Sequence, residues 1–128
     1  MSDTMIRALL VALGGLCGSL ARYWMAGAVQ NLNDGTFPFG TLSVNLLGSF
    51  LVSLIMILSV ERGLIGANLR ISLTIGFCGG FTTMSTFSYE TFMLLRAGTP
   101  TLAFYNLAST FVGCIAAVWL GVLVARWL

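Results

Sequence analysis

Residues 74–90 read TIGFCGGFTTMSTFSYE, and this stretch carries the most information about the structure. Three glycines are followed by five hydroxyl side chains within seven positions. The adjacent Gly79 and Gly80 favour a break in a helix, and a break at membrane depth must be buried in protein or line a cavity. Unwound carbonyls there could hold a cation, and the N-terminus of the next helix would favour an anion. The spacing leaves a second interpretation open, in which Gly76 and Gly80 form a GxxxG pair for close helix packing.

The composition places this stretch in a membrane. The chain has 128 residues, of which 58% are hydrophobic and only 8% are charged. Soluble domains carry about 25% charged residues, so this composition predicts an integral membrane protein. The net charge of +2 gives no reason to expect a nucleic-acid partner. Histidine is absent and acidic residues are few, so we do not expect an enzyme. The three cysteines are far apart in apolar stretches and are expected to be packing residues: Cys17, Cys78 and Cys114.

The spacing of the charged residues outlines four spanning helices in a single membrane domain, residues 1–128. A spanning helix needs about 20 apolar residues, which places the spans at about residues 5–29, 40–61, 70–95 and 99–126. The sequence thus predicts an all-α integral membrane protein whose third helix is broken at mid-span. Four arginines on one side against two on the other give a weak positive-inside bias, which is compatible with insertion in both orientations.

Two of the predicted spans carry a stripe of polar side chains on one helix face. The stripes recur every four residues and consist of Thr41, Asn45 and Ser49 in the second span and Asn106, Thr110 and Cys114 in the fourth. An amide inside a spanning helix needs a partner or water, so both asparagines should face the bundle interior. A single polar stripe could be explained by hydrogen bonds that only hold the helices together. Two polar stripes beside a broken helix rich in hydroxyl groups instead favour a pathway lined by polar side chains.

The chemistry of this lining suits a small anion. Amide and hydroxyl groups donate hydrogen bonds without a fixed charge, so an ion can shed water there and then leave. The edge of a phenylalanine ring is weakly positive, which makes Phe81, Phe87 and Phe111 candidates for an anion contact. Glu90 could instead be the carboxylate of a proton-coupled transporter. Arg22 is either a buried structural charge or an electrostatic attractant at a vestibule.

The small size of the chain favours a pathway between subunits. Four helices packed around one axis fill their own interior with side chains and leave no pore. The small-residue pairs Gly14/Gly18 and Gly15/Ser19 would permit close helix contact in an assembly. We therefore expect a dimer.

Three motifs resemble those of the CrcB/Fluc family of fluoride channels. Residues 76–90 resemble the GxxGGxTTFSTFSxE signature of the third helix, residues 40–48 resemble GTLxxNLxG in the second, and residues 14–24 resemble GGxxGxxxRW in the first. The resemblance extends over all four spans, and the third-helix signature is the most specific. One departure is clear, because Met84 stands where the family has the first of two phenylalanines, whereas Phe87 keeps the second.

The resemblance implies an antiparallel, dual-topology homodimer with two fluoride pores and a structural sodium ion on the two-fold axis. The sodium ligands would be the backbone carbonyls of Gly79 and Thr82 from both subunits. The resemblance also implies a set of pore and vestibule residues, namely Asn45, Thr41, Phe87, Met84, Ser85, Thr110 and Cys114 in the pore and Arg22 and Glu90 at the vestibules. Methionine has no electropositive ring edge, so we expect the anion–ring contact at Phe87 only, with conduction sustained by the amide and hydroxyl groups.

The uncharged polar lining and the resemblance together imply a passive fluoride-selective channel, multi-pass in a bacterial inner membrane, that exports cytoplasmic fluoride and confers fluoride resistance. Its partners would be fluoride, sodium, lipid and a second copy of the chain. Two alternatives remain. One is a proton-coupled exporter similar to the small multidrug resistance proteins, for which Glu90 is the only membrane-proximal acid. The other is a non-transporting assembly subunit whose polar stripes only hold the helices together.

Overall fold

The computed structural model describes residues 2–128, which are helical almost throughout and contain no β-strand. Five helices follow one another, namely α1 (Asp3–Asn31), α2 (Phe39–Val60), α3 (residues 67–81), α4 (Met84–Arg96) and α5 (Pro100–Trp127). α3 is a continuous rod composed of the α-helix Ala67–Ile71, the π-helix Ser72–Cys78 and a last turn, Gly79–Phe81. The prediction of an all-α fold is therefore confirmed.

Three of the helices, α1, α2 and α5, are long and apolar enough to cross a membrane. They coincide with three of the four predicted spans. The remaining predicted span, residues 70–95, consists of α3 and α4 joined by the extended residues Thr82 and Thr83. The third predicted span is thus interrupted, as the glycine and hydroxyl pattern indicated.

Local sequence explains where several helices begin and end. The hydroxyl of Ser2 accepts a hydrogen bond from the Met5 N–H at 3.4 Å and caps the start of α1. Pro100 occupies the first turn of α5, where a missing N–H costs nothing. Gly63 and Gly98 have positive φ angles of 66° and 74° in the turns after α2 and α4, a conformation that favours glycine.

α1 lies against α3 along glycines in both helices. A Cβ atom on Gly18 would overlap the backbone carbonyl of Phe77, and one on Gly80 would lie only 2.6 Å from the carbonyl oxygen of Gly15. The GxxxG interpretation of α3 is therefore confirmed. The small-residue pairs that the sequence suggested for a contact between subunits contact α3 of the same chain: Gly14/Gly18 and Gly15/Ser19. Their role in a contact between subunits stays a prediction.

The distribution of polarity is that of a membrane protein. Large apolar side chains cover the outer surface, and Trp24, Trp119 and Trp127 are among the most exposed. A continuous apolar exterior of this kind is unfavourable in water and favourable in lipid. Eight polar side chains are buried instead, most completely Asn106 and Thr41.

Candidate functional site

The interruption of the third predicted span lies at Thr82 and Thr83. Their backbone is extended, with φ and ψ of −85° and 159° at the first residue and −151° and 109° at the second. The helix continues through Gly79 and Gly80, so the prediction of a break at the glycine pair was wrong in position. The physical reason is that Gly80 provides the close contact with α1 and stays helical.

Asn45 of α2 holds this interruption in place. Its Nδ2 donates to the Thr83 carbonyl at 3.2 Å, and its Oδ1 accepts from the Thr83 N–H at 2.8 Å. Both residues are 7% exposed. One side chain thus satisfies both backbone groups of a residue that has left the helix and would otherwise be buried without partners.

Because of this interruption, two backbone carbonyls do not receive the hydrogen bonds that they would accept in a continuous helix. In a continuous helix the carbonyls of Gly79 and Thr82 would accept from the N–H groups of Thr83 and Thr86. Here the first N–H bonds Asn45 Oδ1 at 2.8 Å, and the second bonds the Thr83 hydroxyl at 3.2 Å. Backbone carbonyls released at an interrupted helix are suitable ligands for a hard cation.

Thr41, one turn before Asn45 on α2, is bonded to Glu90 of α4. The Thr41 hydroxyl donates to Glu90 Oε1 at 2.8 Å. The other carboxylate oxygen, Oε2, is buried and has no hydrogen-bond partner within residues 2–128. Because the Thr41 proton is directed to the carboxylate, this hydroxyl orients Glu90 and does not face an ion as a free donor.

Two cavities flank this group of residues. The first, which we call the break cavity, has a volume of about 450 Å³ and lies beside residues 82–83. The second, the loop cavity, has a volume of about 440 Å³ and includes residues of the loop between α1 and α2. Thr41 lines the loop cavity and Asn45 the break cavity. Because these residues are four apart on α2, they lie about 6 Å apart along the helix axis, one turn from each other.

Most of the predicted site residues are brought together in two groups. The break cavity is lined by six of them: Asn45, Gly79, Thr82, Met84, Thr110 and Cys114. The loop cavity is lined by two of them, Thr41 and Glu90. The roles of these residues toward an ion stay predictions.

Three predicted site residues line neither cavity. Phe87 is 2% exposed, and its ring meets that of Phe111 edge-on, with centroids 6.0 Å apart. Ser85 is exposed on the first turn of α4, 3.4 Å from the Thr83 hydroxyl, and Arg22 is half-buried on α1. Phe111 is the ring that lines the break cavity.

Gln30 also lines the loop cavity, although it was not among the predicted site residues. Its Nε2 donates to the Phe37 carbonyl at 3.2 Å, and its Oε1 accepts from the Gly40 N–H at 3.1 Å. The side chain therefore fixes the loop between α1 and α2 to the end of α1. In the sequence, Gln30 is visible only as an amide followed by a turn-rich segment. This pattern does not predict its bonds to the backbone of Phe37 and Gly40.

The helices and the residues around the two cavities indicate what kind of protein this is. It is a helical membrane protein in which an interrupted helix and buried amide and hydroxyl groups lie beside two cavities. Such an arrangement is typical of proteins that pass small solutes across a membrane.

Comparison with known proteins identifies the family. Residues 9–122 match the family described as CrcB-like protein, Camphor Resistance (CrcB). The chain is 50% identical over 119 residues to the Fluoride-specific ion channel FluC of Pelobacter propionicus, which covers 93% of this chain and 92% of that protein. It is 49% identical over 124 residues to the protein of the same name from Geobacter metallireducens, covering 97% of this chain and 100% of that protein. The chain belongs to the CrcB-like family, a family of ion channels and not of enzymes, which confirms the resemblance.

Proposed function

We propose that this protein is a passive, fluoride-selective channel that lets cytoplasmic fluoride leave the cell and so confers fluoride resistance. The observation that carries the proposal is its 50% identity, over 93% of its length, to a protein named as a fluoride-specific ion channel. The geometry agrees with this function, because the buried groups between the helices include hydrogen-bond donors without a fixed charge.

The break cavity contains donors that a dehydrated anion could use. Asn45 donates one of its two Nδ2 hydrogens to the Thr83 carbonyl, and the second hydrogen is available to another acceptor. The Thr110 hydroxyl, 7% exposed, bonds no other group in the part of the chain that the structure describes. The N-terminus of α4 begins at Met84 beside the same cavity and adds the positive end of its helix dipole.

At the loop cavity the proposed path passes Thr41 and Glu90. An ionised carboxylate repels an anion, so passage requires Glu90 to be held to one side, and the hydrogen bond from Thr41 does this. We propose that Arg22 attracts fluoride toward a vestibule. Phe87 and Ser85 would contribute a ring edge and a hydroxyl to the path in the assembled channel.

We propose that two copies of the chain, each with four spans, form an antiparallel, dual-topology homodimer in the inner membrane. The support is that the break cavity is open to the outside of a single subunit. Its lining residues Met84, Phe111 and Ile115 are 61%, 53% and 68% exposed. A second copy would cover these side chains and complete the wall of the pathway.

We further propose that the carbonyls of Gly79 and Thr82 from both subunits bind a sodium ion at the centre of this dimer. Support comes from the diversion of their helical donors to Asn45 and to the Thr83 hydroxyl. Carbonyl oxygens suit hard cations. When bound, the ion would supply the positive charge that balances the carbonyl dipoles where the two interrupted helices meet.

Fluoride efflux from proteoliposomes, followed with a fluoride electrode, tests the proposed function. The purified protein should release trapped fluoride when a potassium ionophore supplies charge compensation. Release that instead requires a proton gradient would support the proton-coupled exporter, and no release would support the assembly subunit. Membership of a family whose members are named as fluoride channels favours neither alternative.

A further inference from the structure

Asn106 of α5 lies at the end of a hydrogen-bond chain that leads to Phe87. Its Nδ2 donates to the Thr91 hydroxyl at 2.9 Å, and the Thr91 hydroxyl donates to the Phe87 carbonyl at 2.8 Å. Asn106 is fully buried, and Thr91 and Phe87 are 8% and 2% exposed. The chain of bonds thus runs through a part of the protein from which water is excluded.

The direction of these hydrogen bonds fixes the orientation of the Asn106 amide. A hydroxyl has one proton, and Thr91 uses it on the Phe87 carbonyl. Thr91 can therefore only accept from Asn106, so the amide nitrogen must face it. This leaves Asn106 Oδ1 buried without a partner within residues 2–128. Asn106 lines neither cavity, so it does not contact an ion in either of them.

The bond from Asn106 to Thr91 joins α4 to α5, whereas other side-chain bonds that hold α4 come from α2. Two residues of α2 hold α4 in place. Asn45 bonds the backbone of Thr83 just before α4, and Thr41 bonds Glu90 in the middle of that helix. Among the residues that the structure describes, the bond from Asn106 to Thr91 is the only hydrogen bond between α4 and α5. The edge-on contact of the Phe87 and Phe111 rings is the apolar counterpart on the same two helices.

We propose that Asn106 is a positioning residue of the pathway, which fixes the turn of α4 that carries Phe87 by bonding Thr91. Phe87 is midway between Thr83, at the break cavity, and Glu90, at the loop cavity. A displacement of this turn changes the wall between the two cavities. The inference rests on the proposed function, because its consequence is a change in fluoride conduction and not in an unrelated activity.

A double-mutant cycle tests this role in the full-length protein, with Asn106→Leu, Thr91→Val and the double variant reconstituted into proteoliposomes. Each single variant should lower fluoride throughput about fivefold or more, the effect expected for the loss of one buried hydrogen bond. The double variant should be no slower than the slower single variant, because both remove the same bond. Thr91→Ser keeps the hydroxyl and should restore throughput.

The readouts separate positioning from a general loss of stability. The ratio of fluoride to chloride efflux should fall in both single variants, while their elution from a sizing column stays unchanged. Ser109→Ala is the matched control, because the Ser109 hydroxyl bonds only carbonyls of its own helix; its throughput and ratio should equal those of the wild type.

Wild-type throughput in Asn106→Leu, or single-variant losses that multiply in the double variant, would overturn the positioning role while leaving the proposed function intact. If Asn106→Leu does not fold, Thr91→Val decides alone, and normal throughput in it would overturn the role. A wild-type protein that releases no fluoride would overturn the proposed function and this inference with it.

Discussion

Replacing Asn45 with alanine should release the interrupted helix and sharply reduce fluoride throughput. The side chain forms two hydrogen bonds to the backbone of Thr83, of 2.8 Å and 3.2 Å, and both residues are buried. Alanine removes both bonds and leaves a buried N–H and a buried carbonyl without partners. It also removes the amide hydrogen that we propose as a donor to fluoride.

The size of the effect follows from those two backbone groups. Each buried polar group without a partner costs about 1–3 kcal/mol. Water entering from the break cavity lowers the total, so we expect about 2–3 kcal/mol for the pair. Because 1.4 kcal/mol corresponds to a factor of ten, the equilibrium constant for docking of α4 should fall about 30- to 140-fold. Fluoride throughput should fall by at least about tenfold, because the undocking of α4 is combined with the loss of the amide hydrogen that we propose as a donor to fluoride.

The assay compares fluoride efflux from proteoliposomes containing equal amounts of the wild type and the Asn45→Ala variant. Ser43→Ala is the control, because the Ser43 hydroxyl on the same helix bonds only the Gly40 carbonyl at 2.7 Å. It should conduct like the wild type. A well-folded Asn45→Ala protein whose throughput stays within about threefold of the wild type would show that Asn45 is not needed to hold α4 in place.

Three further predictions concern the lining and the packing. Met84→Phe and the wild type should both release fluoride, since the amide and hydroxyl donors are unchanged; a silent wild type beside a conducting variant would contradict this. A methanethiosulfonate reagent should slow efflux by modifying Cys114 in the break cavity, and Cys114→Ser should be resistant; equal inhibition of both proteins would place the reactive thiol elsewhere. Gly18→Ala should lower the thermal unfolding midpoint in detergent, because the added Cβ overlaps the Phe77 carbonyl and overpacking costs about 1–3 kcal/mol. Gly27→Ala, with no atom within 4 Å of the added Cβ, should leave that midpoint unchanged or slightly raised.

The long helices could be predicted because their signal is local. Apolar runs bounded by charged residues and turns locate α1, α2 and α5 within a few residues of their ends. The existence of an interruption in the third predicted span was also visible in its glycines and hydroxyl residues. Its position was not, because a glycine that permits close helix contact and a glycine that breaks a helix look alike in the sequence. Only the packing of α1 against Gly80 distinguishes them.

The composition of the candidate site was predicted better than its hydrogen bonds. The family motifs point to Asn45, Thr41 and Glu90, and the structure places these residues beside the cavities. The partners could not be predicted, because the bond from Asn45 to Thr83 joins residues 38 positions apart and involves backbone atoms that carry no sequence signal. The burial of Phe87 against Phe111 likewise depends on how α4 lies on α5.

The reversal potential of single channels in a planar bilayer tests whether this protein is a passive fluoride-selective channel. With a tenfold fluoride gradient across the bilayer and equal chloride on both sides, a passive fluoride-selective channel should reverse at about 59 mV, the value for one transferred charge. Current that reverses near zero, or that follows a chloride gradient instead, would contradict the account of a fluoride-selective path through this protein.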